Sequence, residues 1–122
     1  MLTAFSHVMV YVTDMPRAIK WYADALGFAV KYAAAPHYAS LWNETLKLRI
    51  DLHPDPKGEN VGHGSMIYFN ADDLDKAVAA LRARGVQVSD PRRRASSPRF
   101  TEFADSEGNI IGLYEAVPPS PQ

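Results

Sequence analysis

The feature that most narrows what this chain can fold into is a pattern that occurs twice. Residues 14–27 read DMPRAIKWYADALG and residues 72–85 read DDLDKAVAALRARG. Each begins with an acidic side chain able to accept from the free N–H groups of a first helical turn. Each continues with apolar residues three or four apart and ends at a glycine suited to left-handed backbone. In the first, Asp14 is the expected cap, Pro16 suits the opening turn, Ile19, Tyr22 and Leu26 form the apolar stripe, and Gly27 is the stop. In the second, Asp72 or Asp73 caps, Leu74, Ala77, Val78 and Leu81 form the stripe, and Gly85 ends the helix. Runs with strand character fall at 6–12, 28–32, 38–43, 46–53, 65–70, 86–89, 99–104 and 109–115, separated by turn material such as HPDPKGEN and DSEGN. The order is strand, helix, three strands, given twice. Displacing the chain by 59 residues (73 minus 14) sets VYVTDMPRA (10–18) on FNADDLDKA (69–77), so that Asp14 falls on Asp73 and Ala18 on Ala77. The reading is an internal duplication, because stacked copies of a module bury faces that neither buries alone. It predicts an α+β fold of two βαβββ modules, about 1–60 and 61–117, in one domain, with 118–122 as a tail.

Side chains alternate across a strand, so parity assigns each residue to a face. Val8, Val10 and Val12 share one face of the first strand, against His7, Met9 and Tyr11. In 46–53, Leu46, Leu48, Ile50 and Leu52 oppose Lys47, Arg49, Asp51 and His53, and Tyr38, Ser40 and Trp42 are expected on the side of Arg49. In the second module Ile67 and Phe69 oppose Met66 and Tyr68, while Ile111 and Leu113 oppose Ile110, Gly112 and Tyr114. The aliphatic faces call for helices. The mixed faces, rich in His, Tyr, Arg, Asp, Met and Trp, are expected to line a ligand pocket enclosed by two curved mixed sheets.

Size and composition agree with this and exclude much else. At 122 residues and 13.5 kDa the chain can bury a core without staples. It has no cysteine, which removes disulfide scaffolds, thiolate zinc sites, iron–sulfur clusters and cysteine nucleophiles. Thirteen basic against fourteen acidic residues lack the basic excess of a nucleic-acid binder. The opening MLTAFSHVMVYVTD has no basic region and reaches Asp14, so it reads as neither signal peptide nor membrane span, and a cytoplasmic location is expected. No G-x-S-x-G, G-x-G-x-x-G or G-x-x-x-x-G-K-[ST] sequence is present.

The run SHVMVYVTDMPRAIKWYADALGF resembles the opening of the vicinal-oxygen-chelate superfamily, which includes glyoxalase I, bleomycin-resistance proteins, fosfomycin-modifying enzymes and extradiol dioxygenases. MIYFNADDLDKAVAALRARGV is similar to that superfamily's second module opening, and FADSEGNIIGLYE to its closing signature, with Ser106 where proline is usual. The resemblance implies paired βαβββ modules and, in the enzymes, a divalent metal held by side chains of the first and last strands of each module. Those positions fall on His7, Asp51, Met66 and Gly112. His7 is a proper ligand and Asp51 a plausible one, but a thioether suits hard ions poorly and glycine offers no side chain. His53 shares the face of Asp51 yet lies about 6–7 Å further along the strand. His63 belongs to the VGHG turn, and His37 follows a proline at a hairpin turn.

The expectation is therefore a small-molecule binder of the bleomycin-resistance type, free of metal. Its ligand site draws on His7, Met9, Tyr11, Tyr38, Trp42, Arg49, Asp51, Met66, Tyr68, Gly112 and Tyr114. The tyrosines and Trp42 suit a flat or aromatic ligand, the bland alternative being core or interface. For Asp51, pairing with Arg49 or Lys47 at the surface competes with a ligand role, and for His7 the bland role is a hydrogen-bonded pocket histidine. The competing function is a lyase, isomerase or dioxygenase whose divalent metal sits on His7 and Asp51 with help from a second subunit. A metal-free enzyme using His7 or Asp51 as general base beside Arg49 is a third possibility. The charge run PRRRASSPR (91–99), with Arg92, Arg93, Arg94 and Arg99, reads as a solvated mobile loop, the alternative being recruitment of an anionic ligand. The resemblance also implies a homodimer.

Overall fold

The structure, a computed structural model, describes residues 1–34, 38–95 and 98–116. The order of elements is β1 (Val8–Val12), α1 (Met15–Leu26), β2 (Ala29–Ala34), β3 (Tyr38–Asn43), β4 (Leu48–Pro54), β5 (Ile67–Ala71), α2 (Leu74–Ala83), β6 (Phe100–Ala104) and β7 (Ile110–Glu115). The class is α+β, with two mixed sheets ordered β1-β4-β3-β2 and β5-β7-β6. In each module the first strand runs parallel to the last, and the strand between them in the sequence of hairpins runs antiparallel. His37 and the tail 118–122 lie outside the described residues.

The repeat holds at the level of single residues. β5 begins and ends 59 residues after β1, and α2 begins 59 residues after α1. Asp14 and Asp73 both cap in extended conformation, accepting from the N–H three residues on, Arg17 and Lys76 respectively. The helix stripe differs from expectation in α1. Met15, Ala18, Tyr22 and Ala25 are buried, whereas Ile19 and Leu26 are only half-buried. Tyr22 is the largest of the wholly buried side chains, and its ring meets that of Phe28 edge-on at 5.8 Å. In α2 the expected Leu74, Val78 and Leu81 are buried. At Gly27 the chain turns out of α1 at φ 75°, which favours a residue with no Cβ.

Two strand expectations need correction. The run 46–53 starts at Leu48, because residues 44–47 form the hairpin turn, with Lys47 at φ 52°, so Leu46 is exposed rather than on the core face. The run 86–89 makes no strand, and only single bridges form, Val88 with Phe103 and Arg92 with Phe100. Pro91 falls between the two bridges, and a residue without an N–H cannot extend a ladder there. The hydroxyl of Ser89 substitutes in part, bonding to the Thr101 hydroxyl and the Glu102 carbonyl.

The chain divides into two compact units, residues 1–64 with 105–109, and residues 65–104 with 110–122. In the first, Val10, Val12, Leu41, Ile50 and Leu52 are buried with the α1 stripe. The 105–109 loop completes this unit. Tyr22 donates to Asp105 at 2.7 Å, and Glu107 accepts from the N–H groups of Thr13 and Asp14, both at 2.9 Å, just before α1. In the second unit Leu74, Val78, Leu81, Ile111, Leu113 and Phe103 form the core. Among the described residues no helix is long and apolar enough to cross a membrane.

Candidate functional site

Strand register settles which side chains share a face. In the first unit Met9 lies opposite Asp51, Tyr11 opposite His53, Ser40 opposite Asp51 and Trp42 opposite Arg49, so the parity expected from sequence holds across three strands. The centre of this face is Asp51, wholly buried on β4. Oδ1 accepts from the Ser40 hydroxyl at 2.8 Å and from Arg49 Nε at 2.8 Å. Oδ2 accepts from Arg49 Nη2 at 2.7 Å and from the Tyr38 hydroxyl. His7 Nε2 lies 3.6 Å from the same oxygen, while its Nδ1 is 2.8 Å from the Ser6 hydroxyl. Burial pushes the Asp51 carboxyl above the ordinary carboxylate range, and His7 pulls the other way.

Around this knot the face is more open. Met9 is exposed, and Tyr11 is half-buried with its ring edge-on to His53 at 5.7 Å. Trp42 donates from Nε1 to Glu44 at 2.7 Å. His53 is exposed beside Tyr11 and makes no bond to Asp51.

In the second unit Tyr68 pairs with Gly112 and Gly112 with Glu102, which puts all three on one face. The Tyr68 ring lies directly over Gly112. A Cβ added there would stand 2.1 Å from Tyr68 Cε2 and 2.2 Å from Cδ2, so only glycine fits beneath the ring. The ring is held by its hydroxyl, which donates to Glu102 at 2.6 Å, and the other Glu102 oxygen accepts from Arg92 Nη2 at 2.6 Å. Both bonds hold the Glu102 carboxyl below its ordinary value, Tyr68 more than Arg92, and the Tyr68 hydroxyl is correspondingly raised. The Tyr68 and Tyr114 rings lie 5.3 Å apart, tilted by 40°, and those of Tyr114 and Phe100 5.6 Å apart, tilted by 35°, with the guanidiniums of Arg92 and Arg94 over Phe100 at 4.4 and 4.7 Å. Met66 is exposed just ahead of β5.

The arginine run is thus no merely solvated loop. Arg92 is tied to Glu102, and Arg99 to both Glu115 and Asp75. Sequence reasoning missed Glu102 and Phe100. The available signal was the alternation in FTEFA, which gives residues 100 and 102 one parity. It also missed that Ser40 binds Asp51, although it put the two on one face.

The four positions that hold a divalent metal in the resembling enzymes do not fit one here. Asp51 has both oxygens engaged by Tyr38, Ser40 and a cationic guanidinium, Met66 offers a thioether, and the space a side chain at 112 would need is filled by Tyr68. Among the described residues no three His, Asp or Glu side chains are grouped to hold an ion.

A glyoxylase-like domain-containing protein of Didymella fabae is 31% identical over 115 residues, covering 88% of this chain and 90% of that protein. TnmS3, an antibiotic-binding protein from Streptomyces sp. CB03234, has a similar structure, with TM-score 0.75 and 26% identity over 95% of this chain and all of that one. The fosfomycin resistance protein FosX from Listeria monocytogenes, solved with Mn(II) and sulfate, has TM-score 0.76 at 17% identity over 96% of this chain and 93% of that one, a likeness of fold alone. The model of the Glyoxalase/Bleomycin resistance protein/Dioxygenase superfamily matches residues 4–113, and the chain belongs to that superfamily.

Proposed function

We infer that the protein binds a small organic molecule on its mixed sheet faces and holds it without a metal ion. The observation that carries this reading is the bidentate grip of Arg49 on Asp51. A divalent ion on Asp51 would stand about 4 Å from the guanidinium, a repulsion of roughly 8 kcal/mol at an effective dielectric of about 20. That offsets about half of the attraction to a single carboxylate oxygen at about 2.1 Å, and metal sites need several ligands. What remains is a surface of aromatic rings with a few fixed polar groups, the composition of an organic-ligand site. The likeness to an antibiotic-binding protein at 26% identity supports binding over catalysis. A twofold dimer belongs to the same reading, and light scattering at micromolar concentration tests it.

The test of binding is calorimetry of the purified protein against a broad organic panel, with and without excess chelator, alongside elemental analysis. Binding that survives chelation is expected. Near-stoichiometric metal lost in His7→Ala, or ligand affinity abolished by chelator, would overturn the reading in favour of a metal-dependent enzyme.

A further inference from the structure

We propose that Ser6 is a nucleophile activated by His7, which accepts the acyl group of an activated ester such as an aryl ester. The inference goes beyond reversible binding and does not depend on which ligand the sheet faces hold. Its basis is the order in which three groups stand around one imidazole. The Ser6 hydroxyl lies 2.8 Å from His7 Nδ1, and the other ring nitrogen, Nε2, lies 3.6 Å from Asp51 Oδ2. Ser6 is exposed and the Asp51 side chain wholly buried, so the hydroxyl is open to a reagent while the carboxylate is closed to it.

The charge of Asp51 decides which ring nitrogen carries the proton. Arg49, Ser40 and Tyr38 all donate to this carboxylate, and such donors favour its ionised form. A carboxylate beside Nε2 draws the ring proton to that nitrogen. Nδ1 is then the lone-pair side, and the Ser6 hydroxyl donates to it. A serine is activated by this arrangement: a base within hydrogen-bond reach, itself oriented by a third group. At 3.6 Å Asp51 makes no hydrogen bond to the ring, so it is a positioning residue that acts through charge.

In the step, Ser6 Oγ forms a bond to the acyl carbon while its proton passes to His7 Nδ1. The bond from that carbon to the aryl oxygen breaks, leaving the electron pair on the oxygen, which takes the proton from His7 and departs as a phenol. An aryl oxide is a good leaving group, so the step asks little of the site beyond removing the serine proton. Ser65 provides an internal control. It too is exposed and lies two residues from His63, but among the described residues it has no hydrogen bond to an imidazole.

The experiment treats the full chain with 4-nitrophenyl acetate and locates the acetyl groups by peptide fragmentation. Acetylation of Ser6 is expected to exceed that of Ser65 by about tenfold or more, and His7→Gln should remove the excess. Nitrophenolate release, followed in parallel, counts acyl groups already lost to water and should fall in both Ser6→Ala and His7→Gln. Nitrogen-15 spectra of the imidazole report on Asp51, and a proton on Nε2 of His7 is expected. Labelling of Ser6 no greater than that of Ser65 with release unchanged in Ser6→Ala overturns the proposal. So does labelling that survives His7→Gln, or a His7 proton found on Nδ1.

Discussion

At Asp51 four donor groups meet two carboxylate oxygens that have no exposure to solvent, and Arg49 is the one that brings a compensating charge. Removing it in Arg49→Ala leaves a buried carboxylate with only hydroxyl donors beside the half-buried His7. The cost is expected to be about 2 kcal/mol at neutral pH, below the full loss for a buried pair because Arg49 itself is partly exposed. The sign with pH follows from the direction of the Asp51 shift. Its carboxyl is raised by burial, and losing Arg49 raises it further, so the protonated form gains relative stability as pH falls. Urea denaturation of the variant should therefore approach wild type in mild acid, and a deficit that stays constant with pH would refute this account. Gly112 makes a separate test. Gly112→Ala should cost about 1–3 kcal/mol by overpacking, and Tyr68→Ala in the same chain should recover most of it, since the three atoms nearest the added Cβ all belong to that ring.

Between elements, the junction of β1 and α1 is held more firmly than its counterpart ahead of α2. Both helices have their aspartate cap; ahead of α2 the neighbouring Asp72 accepts one further N–H, that of Asp73, whereas ahead of α1 Glu107 takes the N–H groups of residues 13 and 14 as well as the Thr13 hydroxyl and Arg17. Asp73→Ala is expected to cost about 1 kcal/mol, the ordinary value of a cap. Glu107→Ala should cost more, because it leaves several donors without an acceptor, and thermal melts of the two variants side by side give the comparison. The caps were legible in the sequence because capping is local: an aspartate three residues before an N–H needs nothing distant. Strand parity was legible for the same reason, and it correctly brought Tyr38, Ser40, Arg49 and Asp51 to one face. Glu107 was not, since its partners lie about ninety residues away along the chain, and no periodicity records such a contact. The failure of 86–89 as a strand was readable in principle from Pro91, whereas the ring of Tyr68 over Gly112 was not: a glycine in a strand says that something approaches, and only the fold says what.

For the molecule as a whole, two low-exposure carboxylates of the first unit set the expected response to acid. Asp55 sits in the turn after β4 and accepts from the N–H groups of Glu59, Asn60 and Val61; Glu107 sits in the loop between β6 and β7. For each, burial pushes the carboxyl up, but the hydrogen bonds outweigh it and the net shift is downward from 3.8 and 4.5 respectively. A depressed folded value means that the stabilisation is present above the unfolded value and is lost as pH falls through the folded one. Asp51, shifted upward, has the opposite sign and softens the decline without reversing it, because Glu102 of the second unit is shifted downward together with Asp55 and Glu107. Stability is therefore expected to be flat from neutral pH down to about the ordinary glutamate value and to fall below it. In Glu107→Gln the amide oxygen keeps part of the hydrogen bonding but no longer titrates, so the variant should be less stable than wild type at neutral pH and should lose less on acidification. Melting temperatures of both proteins across that range decide the matter, and parallel curves would mean that Glu107 contributes nothing to the acid limb.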